Sequence, residues 1–401
     1  MSVRPSLYRS ERGAVLIQVG VLILALMALN VFIADYGVLW TARSQAQAAA
    51  DAAALAGATA RAYDMRLIVE NKIEDVAGKV ADLNKIWQTA GSHEVLVDGG
   101  ACPPGVAHCV KVNIYRDGTS GSTALPQFFT PMLGVASHGV VATATAIVGP
   151  ANTTTCLKPW ALPDKWLDNG TDLLAEDVDP VETFHQWGGG PDIYVRPNGT
   201  QATSAINFST DVGDRIRLRF TFDPAFKTDP ITLQMMVPLA LTGGYEASMR
   251  ACNGQPIHIG DRIPIDLTPI LATTAVPVAQ EIYDSDGGAI WGPEGNNHTA
   301  YVASSCAPSC APISPRTWAV ALFDPLDFEQ SRATNWPLCT PAGSPCVLVA
   351  NIVGLFIDDW YLSSGALARH GHYLRYPGIY DPSFSTIVED GSWLVQPRLI
   401  R

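Results

Sequence analysis

Two carboxylates and two imidazoles are the nearest this chain comes to a reaction centre: Asp358-Asp359 and, shortly after, His370-Gly371-His372. A carboxylate beside an imidazole supplies general acid–base chemistry and, with a water, hydrolysis. A strand end followed by an exposed loop explains the same residues without catalysis, and that reading is preferred. No G-x-S-x-G, H-E-x-x-H or G-x-x-x-x-G-K-[ST] string occurs, so the familiar hydrolase and P-loop signatures fail. Metal chemistry has three candidate places. Asp284-Ser285-Asp286-Gly287-Gly288 opens like an EF-hand loop, but the twelfth position is Gly295, where a bidentate Glu is required. Asp168, Asp172, Glu176, Asp177 and Asp179 would suit Ca²⁺ in an irregular loop and read more simply as a solvated acidic face. Cys306 and Cys310 have zinc-ligand spacing, whereas the longer gap from Cys339 to Cys346 fits zinc poorly. No catalytic residue, cofactor or metal is expected.

The cysteines speak instead to compartment. There are eight, and none precedes Cys102. An even number confined to one part of the chain reads as disulfides in an oxidising space. Cys102 and Cys109 flank a PPGVAH loop between β-like runs, and Cys339 and Cys346 flank TPAGSP in the same way. Cys306 and Cys310 bracket Ala-Pro-Ser, which leaves Cys156 and Cys252 as the long-range pair. A formal charge of −12, with no cluster of Lys and Arg, argues against nucleic acid as a partner. At 401 residues the chain has room for two or three domains.

The element that must position everything else lies near the front. Ala14 to Ala34 carries no charge and spans about 30 Å as a helix, the hydrocarbon thickness of a bilayer. Arg4, Arg9 and Arg12 precede it, and the first charges after it are Asp35 and then Arg43. By the positive-inside rule the N-terminus stays in the cytoplasm and the rest is exported. Gln18 and Asn30 are the strongly polar side chains of the span, each able to bond a neighbouring helix in lipid. A cleaved signal peptide would have a shorter apolar region, and the Ala46-Gln47-Ala48 site lies too far beyond it, so a retained anchor is expected.

Past the anchor, Ala46, Ala50, Ala54 and Ala58 recur at i, i+4, as do Ala49, Ala53 and Gly57. Two smooth ridges result, suited to close helix packing either on a second anchored protein, in a homo- or hetero-oligomer, or on this chain's own exported part. Val69, Ile73, Val76, Val80, Leu83 and Trp87 form a narrow apolar seam on a second helix that ends at Gly91-Ser92. A kink between Gly57 and Asp64 is expected to fold that helix back. Glu94 to Asp98 and Val110 to Tyr115 read as a hairpin, Leu125 to Gly134 as a short helix and Gly139 to Val148 as a third strand. Beyond a turn-rich boundary at Gly149 to Thr155, Ile216 to Phe222, Ile231 to Leu241 and Val347 to Ile357 read as strands among Gly/Pro/Asn turns. The expected class is α+β: an N-terminal transmembrane helix continuing into a long helix (1–93), a small α+β unit (94–150), then a mostly antiparallel β-rich exported domain (151–401).

These same front residues carry a family resemblance. RGAV (Arg12 to Val15), the apolar span, Asp35-Tyr36-Gly37, Arg43-Ser44-Gln45 and ADAAALAGA (Ala50 to Ala58) resemble the N-terminal signature of TadG-like proteins of the tight-adherence (Tad, Flp-type) pilus-assembly system. A weaker similarity extends through FFTPMLGVASHGVVATATA (Phe128 to Ala146), CLKPWALPDKW (Cys156 to Trp166), GDRIRL (Gly213 to Leu218) and the segments from Ser314 to Ile357. The resemblance implies a single-pass inner-membrane protein with a periplasmic C-terminal region, whose partners are pilin or other assembly components. A von Willebrand A-type adhesion site needs D-x-S-x-S, which this chain lacks, so that role does not carry over. Two other classes stay open, an anchored periplasmic hydrolase using Asp358/Asp359 and a cleaved minor pilin. Prepilins are cut after a Gly before an apolar helix with Glu five residues on; Gly13-Ala14 supplies the Gly, but the fifth residue is Gln18.

Overall fold

An uncharged run joined to an alanine-rich one, with no proline between, leaves nothing to stop a helix, and the computed structural model contains a single one there. Helix α1 (Arg12–Tyr63) runs 52 residues, about 78 Å at 1.5 Å per residue. The structure describes residues 12–63, 72–99, 102–104, 106, 108–126, 139–164, 166–167, 193–194, 212–213, 215–219, 236–266, 272–292, 301–303, 314–323, 325–363, 366–384 and 393–400. These fall into two units, the first drawn from 1–58, 72–147 and 399–401, the second from 59–71 and 148–398.

The first unit sets α1 and α2 (Ile73–Leu83) with a two-residue hairpin of β1 (Lys85–Ile86) and β2 (Thr89–Ala90), followed by β3 (Ser92–Val97), β4 (Cys109–Arg116) and the larger part of β5 (Val140–Pro150). Strands β3, β4 and β5 form an antiparallel meander in which Glu94, Asn113 and Thr143 lie side by side. The period-2 pattern of β4 turns Val110, Val112 and Ile114 inward. Cys102 and Cys109 join across the loop that precedes β4, with Cα atoms 5.5 Å apart.

The alanine ridges of α1 are spent inside this chain. Ala46, Ala49, Ala50, Ala53, Ala54 and Ala58 are all fully buried, and Gly57 is buried with them. At Gly57 a Cβ would stand 2.7 Å from Val110 Cγ1 and 3.2 Å from Ala77 Cβ, so β4 and α2 both press on the helix where its side chain is missing. Of the two readings of these ridges, packing on the chain's own exported part is the one that accounts for their burial here. Gly57→Leu is expected to destabilise the protein by about 3 kcal/mol, since Val110 is β-branched and has no room to turn aside. A urea titration of the detergent-solubilised chain reads this directly, and an unchanged midpoint would contradict the packing described.

Three details of the second helix differ from expectation. Its buried face is Ile73, Ala77, Gly78 and Ala81, while Leu83 is 79 % exposed. Small side chains win over Val and Leu because they admit the close approach seen at Gly57. The helix also stops at Leu83 rather than near Gly91: Asn84 donates from Nδ2 to the Val80 carbonyl, and the chain turns through Trp87 and Gln88, both at positive φ. The Trp87 N–H then donates to Gln45 Oε1 on α1, 2.8 Å away. Finally, the expected kink does not interrupt α1, which continues as helix through Gly57 to Tyr63, while Asp64 lies outside the described residues. Val69 and the greater part of the expected helix at Leu125 to Gly134 lie outside the described residues.

The second unit contains β6 (Thr153–Thr154), β7 (Leu157–Pro163), β8 (Trp166–Leu167), β9 (Ile193–Tyr194), β10 (Arg215–Arg219), β11 (Val237–Pro238), α3 (Tyr245–Arg250), β12 (Ile257–His258), β13 (Arg262–Pro264), α4 (Ala272–Asp284), β14 (Ile290–Gly292), β15 (Tyr301–Ala303), β16 (Thr317–Phe323), α5 (Pro325–Ala333), β17 (Cys346–Ser363), β18 (Ala366–Leu374), β19 (Tyr376–Pro377) and most of β20 (Leu394–Ile400). Its main sheet has the order β10-β18-β17-β16-β7-β11, with β13 also on β17. Pairing in that sheet is antiparallel except between β16 and β7. Every residue of β16 is buried. Ala319, Ala321 and Phe323 face one core with Leu157, Ile263 and Phe328, while Trp318, Val320 and Leu322 face another with Trp160, Met249 and Val278. A strand covered on both faces needs a continuous apolar run, which TWAVALF supplies. Cys156 joins Cys252 and Cys339 joins Cys346, with Cα atoms 4.3 Å and 5.9 Å apart. Cys306 and Cys310 lie outside the described residues. The chain as a whole is α+β, with a long apolar helix preceding strand-rich, mainly antiparallel sheets.

Candidate functional site

The Asp358 and His372 side chains do come together, because β17 and β18 are neighbours with Phe356 opposite His372. His372 Nε2 lies 3.5 Å from Asp358 Oδ2. Its Nδ1–H donates to the Gly213 carbonyl at 2.9 Å, and the Trp291 ring stacks on the imidazole at 4.4 Å. Both ring nitrogens thus face groups of the chain itself, and the side chain is only 7 % exposed. Among the described residues no hydroxyl or thiol is hydrogen-bonded to this imidazole. The arrangement ties the turn ahead of β10 to β18 and to the interior of β17. His370 is buried nearby on β18, and the Asp359 side chain lies outside the described residues.

The acidic turn is likewise used internally. Asp286 is buried and accepts from Ser314 Oγ at 2.5 Å, and its carbonyl accepts from Arg316. No group of three or more His, Cys, Asp or Glu side chains suited to a metal occurs among the described residues, and Asp168 to Asp179 are not among them.

Two polar centres, one half-buried and one buried, carry no sequence signal, since they draw partners from distant segments. His258 sits between Asp261, which accepts from its backbone N–H at 2.7 Å, and Asp381, 3.6 Å from Nε2, under the ring of Phe384. Donation from the Ser383 N–H, aided by His258, holds the Asp381 carboxyl below its usual range. Lys158, buried on β7, donates from Nζ to the carbonyls of Met249 (2.5 Å) and Ser248 (3.3 Å) at the end of α3. Burial lowers its pKa to about 8 from an ordinary 10.5. Between those two values the unfolded chain takes up a proton that the folded one refuses, so stability should fall as pH is lowered through that window and level off below it. Unfolding free energy should therefore rise by about 1 to 2 kcal/mol from pH 8 to 9.5, below the titration of tyrosine, and Lys158→Met should abolish the rise. A flat profile for the unsubstituted protein would show that Lys158 stays charged inside.

The remaining candidate is α1, and its two halves differ. From Val15 to Ala34 the described side chains are exposed, and they are almost all apolar. From Asp35 onward one face is buried, through Val38, Ala42 and Ala46. The helix is long and apolar enough to cross a membrane. Residues 13–60 match the family model described as "Putative Flp pilus-assembly TadE/G-like". No curated protein and no solved structure matches the chain.

The TadE/G-like segment therefore coincides with α1 alone, taking in both its bare apolar half and its buried alanine half. Of the span residues read from sequence, Ala14 sits at the start of the helix and Gln18, Asn30 and Ala34 are on its exposed part. One donor of Asn30 is used within the TadE/G-like helix, its Nδ2 donating to the Leu26 carbonyl at 2.8 Å. Gln47 donates to Asp51 Oδ1 at 2.8 Å and to the Thr143 carbonyl at 3.3 Å, fastening the segment to β5.

Proposed function

We propose that the chain is a single-pass membrane-anchored component of Tad/Flp-type pilus assembly, acting by structure and contact rather than by catalysis. The observation that carries this is the coincidence of the TadE/G-like match with a helix whose first half is bare and apolar and whose second half is built into a folded unit. The Arg4, Arg9 and Arg12 lead favours an N-terminus in the cytoplasm and a C-terminal region in the periplasm, where the joined cysteine pairs would persist. Ala46 to Ala48 lie inside the unbroken helix, which favours retention of the anchor over cleavage there. The exported region would then meet pilin, secretin or another assembly component.

Alkaline phosphatase fused after Arg401 should be active and a cytoplasmic reporter at the same place silent; the reverse would overturn the orientation. Sequencing the amino terminus of the membrane-purified protein should begin at Met1 or Ser2. A start at Ala14 would establish the minor-pilin alternative instead.

A further inference from the structure

Where α1 leaves its uncharged run, three aromatic side chains line up on one face. Phe32, Tyr36 and Trp40 follow one another at i, i+4, with ring centroids 5.7 Å and 6.4 Å apart, and they are 63 %, 51 % and 66 % exposed. At the same height on the helix, Asp35, Val38 and Ala42 are buried. The two stripes lie roughly a third of a turn apart at 100° per residue, so protein covers one side of the helix while large rings stand bare on another.

We infer that Phe32, Tyr36 and Trp40 bind the headgroup layer of the bilayer on the side where the chain emerges, seating the first folded unit directly on the membrane surface with no intervening linker. This rests on the membrane-anchored reading of α1 and adds the depth at which the span ends. The lipid interface is the occupant because the strip continues the bare apolar span without a break and is graded along its length. Phe32 lies within the uncharged run, Tyr36 and Trp40 each combine an apolar ring with a polar handle, and the next exposed residues on that side are Arg43 and Gln47. Hydrocarbon, interface and water follow in that order, as aromatic belts require. From Tyr36 to Trp40 the strip rises about 6 Å, comparable with one headgroup layer, while Phe32 reaches about 6 Å further into the uncharged run. A protein partner would require no such gradient. Burial of α1 from Asp35 onward brings the folded unit down to the level where the uncharged run stops.

The test uses the full chain in vesicles of phosphatidylethanolamine and phosphatidylglycerol. A single spin label is placed through Leu22→Cys, Tyr36→Cys, Trp40→Cys or Ser44→Cys, and its collisions with oxygen and with a water-soluble nickel chelate are measured. The Leu22→Cys label should meet oxygen and not nickel. Labels at 36 and 40 should meet nickel about threefold less often than the Ser44→Cys label while still meeting oxygen, as an interfacial position demands. Equal nickel collision at 36, 40 and 44, with the Leu22→Cys label still shielded, would overturn the strip and leave the anchor standing. Shielding of 36 and 40 from both reagents would mean that protein, for instance a second copy, covers them, and would also overturn the inference. Free access of nickel to the Leu22→Cys label would overturn the anchor reading itself.

Discussion

Arg316→Met is expected to lower the unfolding free energy of the detergent-solubilised protein by about 3 to 5 kcal/mol, the cost of breaking a buried charged network. The guanidinium is 1 % exposed, lying with its carbon 4.0 Å from the centroid of Tyr283 and 4.8 Å from that of Phe356. Its Nε–H donates to the Ile357 carbonyl at 2.8 Å, one terminal nitrogen to the carbonyls of Asp286 (3.2 Å) and Ala289, and the other to that of Asp358. Methionine fills much of the volume and takes the guanidinium donors away from those carbonyls, of which that of Asp286 keeps the Ala289 N–H at 3.0 Å, at about 1 to 3 kcal/mol for each left unpaired where water cannot reach. Arg316→Lys should recover less than half of the loss, because three donors on one point cannot imitate a planar fork. Urea titration followed by tryptophan fluorescence provides the measurement. A loss below about 1 kcal/mol for Arg316→Met would show that the turn after α4 and the middle of β17 hold together without it.

Removing the bridge between Cys156 and Cys252, as Cys156→Ser with Cys252→Ser, is expected to cost about 4 to 5 kcal/mol. The two residues are 96 apart in sequence, so the bridge restricts a long stretch of the unfolded chain. The pair Cys339 and Cys346, only 7 apart, should contribute about half as much when removed in the same way. Comparing the denaturation midpoints of the two double-serine proteins tests the ratio. Equal losses would mean that native packing around the bridges, rather than the freedom of the unfolded chain, decides their worth.

Much of the architecture was legible because local pattern and tertiary demand agree. The run from Ala14 to Ala58 has neither proline nor cause to stop, and it is one helix. The alternation of Val110, Val112 and Ile114 survives as the inward face of β4, and Val347 to Ile357 falls wholly within β17. Reading failed where packing chose among several acceptable faces. On α2 the spacing of Val76, Val80 and Leu83 suggested a seam, but the close approach at Gly57 selects Ala77, Gly78 and Ala81. The partner of the α1 ridges was undecided for the same reason, since smooth alanine surfaces fit another protein and the chain's own sheet equally well. Arg316 stands in a short Ser-Pro-Arg string that reads as loop, and its acceptors come from two remote segments. The nearness of Asp358 and His372 was legible as a possibility, whereas Gly213 and Trp291, which close both the edge and the face of the imidazole, carry no local mark.

Because α1 runs from its bare half into the alanine core as one continuous helix without proline, the proposed membrane span and the folded part are joined by unbroken helical backbone. On that reading, tension on the span would reach the fold through helix alone, with no flexible linker between them. On the anchored reading proposed above, the folded part would keep a defined heading relative to the bilayer.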